Sequence, residues 1–168
     1  MLIIICGLPG SGKTTISQEL ARKISAVHLS SDSVRKKLFE KPTYSEEEKA
    51  CVYDEMIKLT EKALQSGKNV IVDATFYQKK VRDRFLELAK KLGNESYVVR
   101  CTLHESQIKK RVEMRKKGKC ESDADFGVYL KIKEKFEKID HEYLEINSME
   151  PVKKRLKDIV EYVGEKRG

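Results

Sequence analysis

Gly7-Leu8-Pro9-Gly10-Ser11-Gly12-Lys13-Thr14, preceded by Leu2-Ile3-Ile4-Ile5-Cys6 and followed by Thr15, is the stretch on which the reading of the fold turns. The octet satisfies the spacing GxxxxGK[ST] at every fixed position. It also stands where that spacing has physical meaning, after an apolar run of strand length and before Ile16, Leu20 and Ile24 at helical spacing. Glycines let the backbone curl so that successive N–H groups face phosphate oxygens, and the helix start adds a partial positive charge. The residues expected around a nucleotide are therefore Gly7, Leu8, Pro9, Gly10, Ser11, Gly12, Lys13, Thr14 and Thr15. Lys13 is expected to reach the β- and γ-phosphates of ATP, and the Thr14 hydroxyl to ligate Mg²⁺.

Outward from this loop the sequence alternates between strand and helix patterns. Ala26 to Leu29 makes a short second strand. Ser45 with Glu48 forms a capping-box signal before a helix carrying Tyr53, Met56, Ile57, Thr60 and Leu64 on one face and closing at Gly67. Val70 to Val72 is a buried third strand. Val81, Phe85, Leu88, Ala89 and Leu92 mark a helix ending at Gly93, and Tyr97 to Leu103 is a fourth strand. Two charged helices follow, Glu105 to Lys117 and Asp125 to Lys138. Tyr143 to Ile146 makes a fifth strand, and Pro151 opens a last helix with Val152, Leu156, Ile159, Val160 and Val163 inward. Strands separated by helices pair in parallel through right-handed crossovers, so the expected fold is a doubly wound α/β sheet of the P-loop type, three layers deep.

A chain of 168 residues with 39% hydrophobic content closes one core, so residues 1–168 are expected to form a single domain. No stretch approaches the ~20 apolar residues of a membrane span, and the expected location is cytoplasmic, with no membrane and no obligate protein partner. Cys6, Cys51, Cys101 and Cys120 show no metal-ligand spacing, so they are read as reduced thiols, mostly in the core. A net charge of +8 favours anionic partners, among them nucleotides and nucleic acid.

Asn69-Val70-Ile71-Val72-Asp73 delivers a carboxylate to the end of a strand where an α/β sheet opens its crevice. Asp73 is the candidate partner of Mg²⁺, through water. Ser30-Ser31-Asp32-Ser33-Val34-Arg35 places an acid and a base on one face of a helix start. Asp32 there is either the general base for an attacking hydroxyl or an N-cap, and Arg35 either a substrate contact or a solvated residue. Between Lys109 and Lys119 basic residues crowd a helix with few apolar partners, which reads as a lid over residues 105–122. Arg111 and Arg115 share one of its faces and either can neutralise phosphate charge; a solvated charged helix is the alternative. No NKxD-type guanine signature is present, which argues against a GTPase.

Together GLPGSGKT, SSDSVR, VIVDAT and KRVEMRKKG resemble the phage-type polynucleotide 5′-kinase domain. The wider group of stand-alone P-loop kinases includes chloramphenicol phosphotransferase, zeta toxins and seryl-tRNA(Sec) kinase. The resemblance implies a sheet order 2-3-1-4-5, catalytic roles for Lys13, Asp32 and Arg35, and a lid role for Arg115 with Arg111 behind it. It departs from the group at Phe76, where an amide is usual in D-A-T-N.

The expected activity is transfer of the γ-phosphate from ATP to a hydroxyl, with a polynucleotide 5′-hydroxyl or an RNA-borne hydroxyl preferred and Lys79, Lys80, Arg82 and Arg84 as an entry path. A small-molecule kinase acting on a nucleoside, sugar, antibiotic or adenylylsulfate, and a nucleotide-binding regulatory module, are the alternatives. His28, His104 and His141 stand without a carboxylate or cysteine at useful spacing and are read as structural or surface residues. Tyr129 and Phe136 are read as core residues.

Overall fold

The computed structural model describes residues 1–115 and 126–165. In chain order these form β1 (Leu2–Cys6), α1 (Lys13–Ile24), β2 (Val27–Ser30), α2 (Ser31–Leu38), α3 (Glu46–Gln65), β3 (Val70–Asp73), α4 (Lys79–Lys91), β4 (Ser96–Thr102), α5 (Glu105–Arg115), α6 (Phe126–Lys135), β5 (Leu144–Asn147) and α7 (Val152–Glu165). The expected strands and helices are all present, with ends shifted by a few residues. Of the two charged helices, α6 ends at Lys135, three residues before the expected Lys138, and the stretch between the two falls outside the described residues.

The sheet has five strands in the order β2-β3-β1-β4-β5, and each neighbouring pair is parallel. β1 is central and wholly buried. Its alternate residues feed two different cores, as strand pleating requires. Leu2, Ile4 and Cys6 join Val70, Val72 and Val98 beneath Met56 of α3 and Phe85 of α4. Ile3 and Ile5 join Ile71, Val99 and Ile146 beneath Ile16 and Leu20 of α1 and Ile159 of α7. Burial of each of these side chains contributes about 1.5–3 kcal/mol. α7 departs from expectation at Val160, which is 37% exposed while Ile159 and Val163 face inward.

A third, smaller cluster sets Ile108 of α5 against Tyr129 of α6, with Leu8 of the glycine-rich loop at its edge. The lid helix is therefore anchored by one buried isoleucine despite its charge. Tyr129 is in a core, as expected, and Phe136, just beyond α6, packs on the core beside α4. Cys6 and Cys101 are buried whereas Cys51 is exposed, and Cys120 lies outside the described residues. Among the described residues no helix is long and apolar enough to cross a membrane.

Candidate functional site

The loop between β1 and α1 is held by close approach as much as by hydrogen bonds. Gly7 has φ +147°, and a Cβ there would stand 2.4 Å from the Cys101 carbonyl oxygen, so no side chain fits. Gly12 caps α1 in the left-handed region at φ 86°. A Cβ on Gly12 would meet the Ser148 Oγ at 3.0 Å and an Arg111 guanidinium nitrogen at 3.3 Å. Lys13 turns back into its own loop and donates to the Leu8 carbonyl at 3.0 Å.

Ser148, in the turn after β5, ties this loop to its surroundings. Its hydroxyl donates to the Ser11 carbonyl, its N–H donates to the Thr102 carbonyl, and its own carbonyl accepts from Arg111 Nη2 at 3.3 Å. Arg111 thus lies beside the phosphate-binding loop. The Arg115 side chain and the rest of the lid segment, 116–122, lie outside the described residues.

Asp73 ends β3 and is 2% exposed. Its Oδ2 is buried without a hydrogen-bond partner, and so is Nε2 of His28, 3.5 Å away on β2. The reading of His28 as lacking a carboxylate is thereby corrected. The β2–β3 register pairs His28 with Ile71 and Ser30 with Asp73, which sets His28 behind the carboxylate on the same face. His141 also has a carboxylate, Asp83, at 2.9 Å. His104 instead meets the Ser106 hydroxyl at 2.8 Å.

α2 begins with Ser30 as N-cap and carries Asp32 in its first turn, so the N-cap reading of Asp32 is not realised. Arg35, 7% exposed, is not solvated either. Its Nη1 lies 3.5 Å from Asp32 Oδ1, and its Nε donates to Glu48 Oε1 at 2.7 Å. The other Glu48 oxygen accepts from Thr43 N at 2.6 Å, Thr43 Oγ1 at 3.0 Å and Tyr44 N at 3.1 Å. Tyr44 is bent into the left-handed region at φ 59°, and its ring covers the guanidinium with 4.8 Å from Cζ to centroid. The capping box is therefore half built. Ser45 accepts from the Glu48 N–H as expected, but the Glu48 carboxylate is spent on the preceding turn and on Arg35.

Burial pushes the Asp32 carboxyl above its ordinary range, against the pull of Lys13 and Arg35, and nearby Asp73 adds to the rise. Burial also opposes the charge on Glu48, but the hydrogen bonds from Thr43, Tyr44 and Arg35 outweigh it and hold that carboxyl low.

Phe76, where the resembling kinases carry an amide, has φ 48° and sends its ring into the core, 5.5 Å from Tyr53 and 5.2 Å from Phe85. Its carbonyl accepts from Arg82 Nη1 at 2.6 Å. The second Arg82 nitrogen donates to the carbonyls of Glu137 and Lys138, and the side chain is wholly buried. Arg82 is thus no part of an entry path. Arg84 pairs with Asp54 at 2.7 Å and Lys79 with Asp83 at 2.6 Å.

One cleft unites the remaining site residues: Pro9, Gly10, Gly12, Lys13, Thr14 and Thr15 from the loop, Asp32 and Arg35 from α2, and Asp73. It continues past Asp32 to Tyr44, Lys49, Tyr53 and Tyr77, and is roofed by Val128 and Ile132 of α6. Sequence spacing missed this far end, and it missed Glu48 and Ser148, because their contacts cross loops. The residues present fit a nucleoside triphosphate with a divalent cation. Gly7 leaves room for the backbone cradle, and the buried Asp73 Oδ2 makes no hydrogen bond among the described residues, with His28 Nε2 3.5 Å away.

The fold recurs in the structure of Mycobacterium tuberculosis APS kinase in complex with AMPPNP and APS, at TM-score 0.73 and 17% identity over 97% of this chain and 96% of that one. L-seryl-tRNA(Sec) kinase of Methanococcus maripaludis is 33% identical over 95 residues, 54% of this chain and 36% of that protein. An uncharacterised Mycobacterium tuberculosis protein is 26% identical over 141 residues, 77% of this chain, and the match spans only 28% of that longer relative. The family model AAA_33, an AAA domain, matches residues 2–139, from the first residue of β1 to beyond α6. With that match reaching across the phosphate-binding loop, Asp32 and Asp73, the chain belongs to the AAA_33 family of P-loop domains.

Proposed function

We propose that this domain is a cytoplasmic kinase that binds ATP with Mg²⁺ and transfers the γ-phosphate to a hydroxyl of an acceptor seated beside Asp32. The observation that carries the reading is that Lys13, Thr14, Asp73 and Asp32 all line one cleft. Thr14 and Asp73 would hold the cation, Asp73 through water, and a bound Mg²⁺ supplies charge neutralisation on the phosphates. Lys13 leaves the Leu8 carbonyl to bind phosphate oxygens. Asp32 accepts the proton of the attacking hydroxyl, and its raised carboxyl makes it a better base than an ordinary aspartate. Arg35 orients that carboxylate, and Arg111 stands over the loop to stabilise charge during transfer.

Two readings of the acceptor differ. The motif resemblance and the tRNA kinase relative favour a polynucleotide or RNA-borne hydroxyl. A small-molecule acceptor is favoured by the burial of Arg82 and the pairing of Arg84 and Lys79, which leave Lys80 alone of the four expected to line a strand path, and by the α6 residues at the cleft. The test is transfer of labelled γ-phosphate from ATP to a panel of 5′-hydroxyl oligomers, transfer RNA, nucleosides, sugars and adenylylsulfate. Asp32→Asn should lose ~10² or more in transfer while still binding ATP. Equal turnover in the two proteins removes Asp32 as base, and phosphate release with no acceptor labelled favours a regulatory nucleotide-binding module.

A further inference from the structure

The net charge of +8 invites an anionic acceptor, but the charges are not where an acceptor would meet them. Among the described residues lining the far end of the cleft, the cations are Arg35 and Lys49. Arg35 is buried with its Nε on Glu48 at 2.7 Å and its Nη1 facing Asp32 at 3.5 Å. Lys49 Nζ is 2.8 Å from Glu46 and lies over the Tyr77 ring. Among the described residues, then, each of these cations already faces at least one carboxylate, and Asp32 adds a charge of its own. What remains around the acceptor is hydroxyl groups and rings: Tyr44, Tyr53 and Tyr77 as walls, Thr75 between them, and the apolar roof from α6.

From this we infer that the acceptor is an uncharged hydroxyl compound, of the class of a neutral sugar, polyol or nucleoside, rather than a phosphorylated, sulfated, carboxylated or polynucleotide substrate. The inference rests on the kinase reading above and narrows it. An anion brought beside Asp32 would be repelled by carboxylates in a partly dehydrated site, at a cost that Arg35 and Lys49, each already facing a carboxylate, offset less than a free cation would. A neutral molecule instead stacks on tyrosine rings and exchanges hydrogen bonds with hydroxyl groups, which is what the walls offer. The Arg35 guanidinium, clamped by Glu48 and covered by Tyr44, is left to hydrogen-bond an oxygen rather than to neutralise one. In the transfer step the acceptor O–H proton passes to Asp32, the acceptor oxygen bonds to the γ-phosphorus, and the bond from that phosphorus to the β–γ bridging oxygen breaks, leaving ADP.

The charge argument is testable without knowing the acceptor. Protein saturated with AMPPNP and Mg²⁺ is titrated calorimetrically with inorganic sulfate as the anionic probe, comparing wild type with Glu48→Gln and, because that buried change risks the fold, with Glu46→Gln at an exposed position. The expected result is that at least one variant, by uncovering Arg35 or Lys49, binds sulfate at least about tenfold more tightly than wild type. Unchanged affinity in both folded variants overturns the inference, as does a wild-type sulfate site abolished by Arg35→Met. The second arm compares kcat/KM for nucleosides and hexoses with that for 5′-nucleotides, sugar phosphates, hexonic acids and 5′-hydroxyl oligomers. Preference for neutral acceptors supports the inference and preference for an anionic one overturns it. If AMPPNP fails to bind at all, the kinase reading falls, while the sulfate comparison, repeated without nucleotide and with Arg35→Met to separate the far end of the cleft from the phosphate-binding loop, still reports on the charge of that end.

Discussion

Asp32 is asked to carry a charge in a place that disfavours it. Its carboxyl is raised by burial and by Asp73, so as pH falls its charged form is lost earlier than for an aspartate at the ordinary value of 3.8. If it is the base, kcat/KM for transfer should decline on the acid side with a midpoint above that value, and Asp32→Asn should abolish the limb; a profile flat down to pH 4 would remove the assignment. The linkage sign follows. A carboxyl raised on folding costs stability above its folded value and ceases to do so as pH falls through it. Asp32→Asn should therefore raise the denaturant midpoint at neutral pH, by an amount that shrinks with acidification. Asp32 and Arg35 were legible because acid and base three apart share a helix face. Arg82 was misread because nothing local to it announces three backbone carbonyls, two of them in the chain beyond α6.

The first turn of α3 does two jobs. Ser45 accepts from the Glu48 N–H, and the Glu48 carboxylate then holds the Thr43–Tyr44 turn and Arg35 of α2 together. A capping box was visible in the sequence, but a partner thirteen residues upstream was not, since no periodicity links two helices across a loop. Glu48→Gln should cost about 3 kcal/mol at pH 7, read by denaturant unfolding, because it leaves Arg35 buried with its main partner uncharged. The carboxyl of Glu48 is held low in the fold, so its contribution is fully present above the ordinary glutamate value of 4.5 and lost as pH falls through its folded value. The gap between variant and wild type should close in that window. At α4, Arg82→Met should cost about 3 kcal/mol by stranding buried carbonyls, whereas Arg84→Met, which breaks an exposed pair, should cost under about 1 kcal/mol. Equal losses at the two positions would contradict the division between buried strut and surface charge.

At the scale of the molecule, the alternation of apolar runs and amphipathic helices was enough to give the layers, and the glycine-rich loop enough to locate the crevice. Strand order was not written in the periodicity; it came from resemblance, and the central place of β1 agrees with it. The distribution of charge was not legible at all, because a sum over the chain says nothing about which cations meet carboxylates. Ser148 shows a different consequence of the same long-range construction. Its hydroxyl reaches the Ser11 carbonyl across 137 residues of chain, so one of the braces of the phosphate-binding loop is synthesised long after the loop it holds. During translation the loop emerges before β5 and can be braced only after β5 has left the ribosome and docked. Bracing of the loop then lags behind synthesis of the motif itself, and a nascent chain halted before that turn would display the motif without its brace.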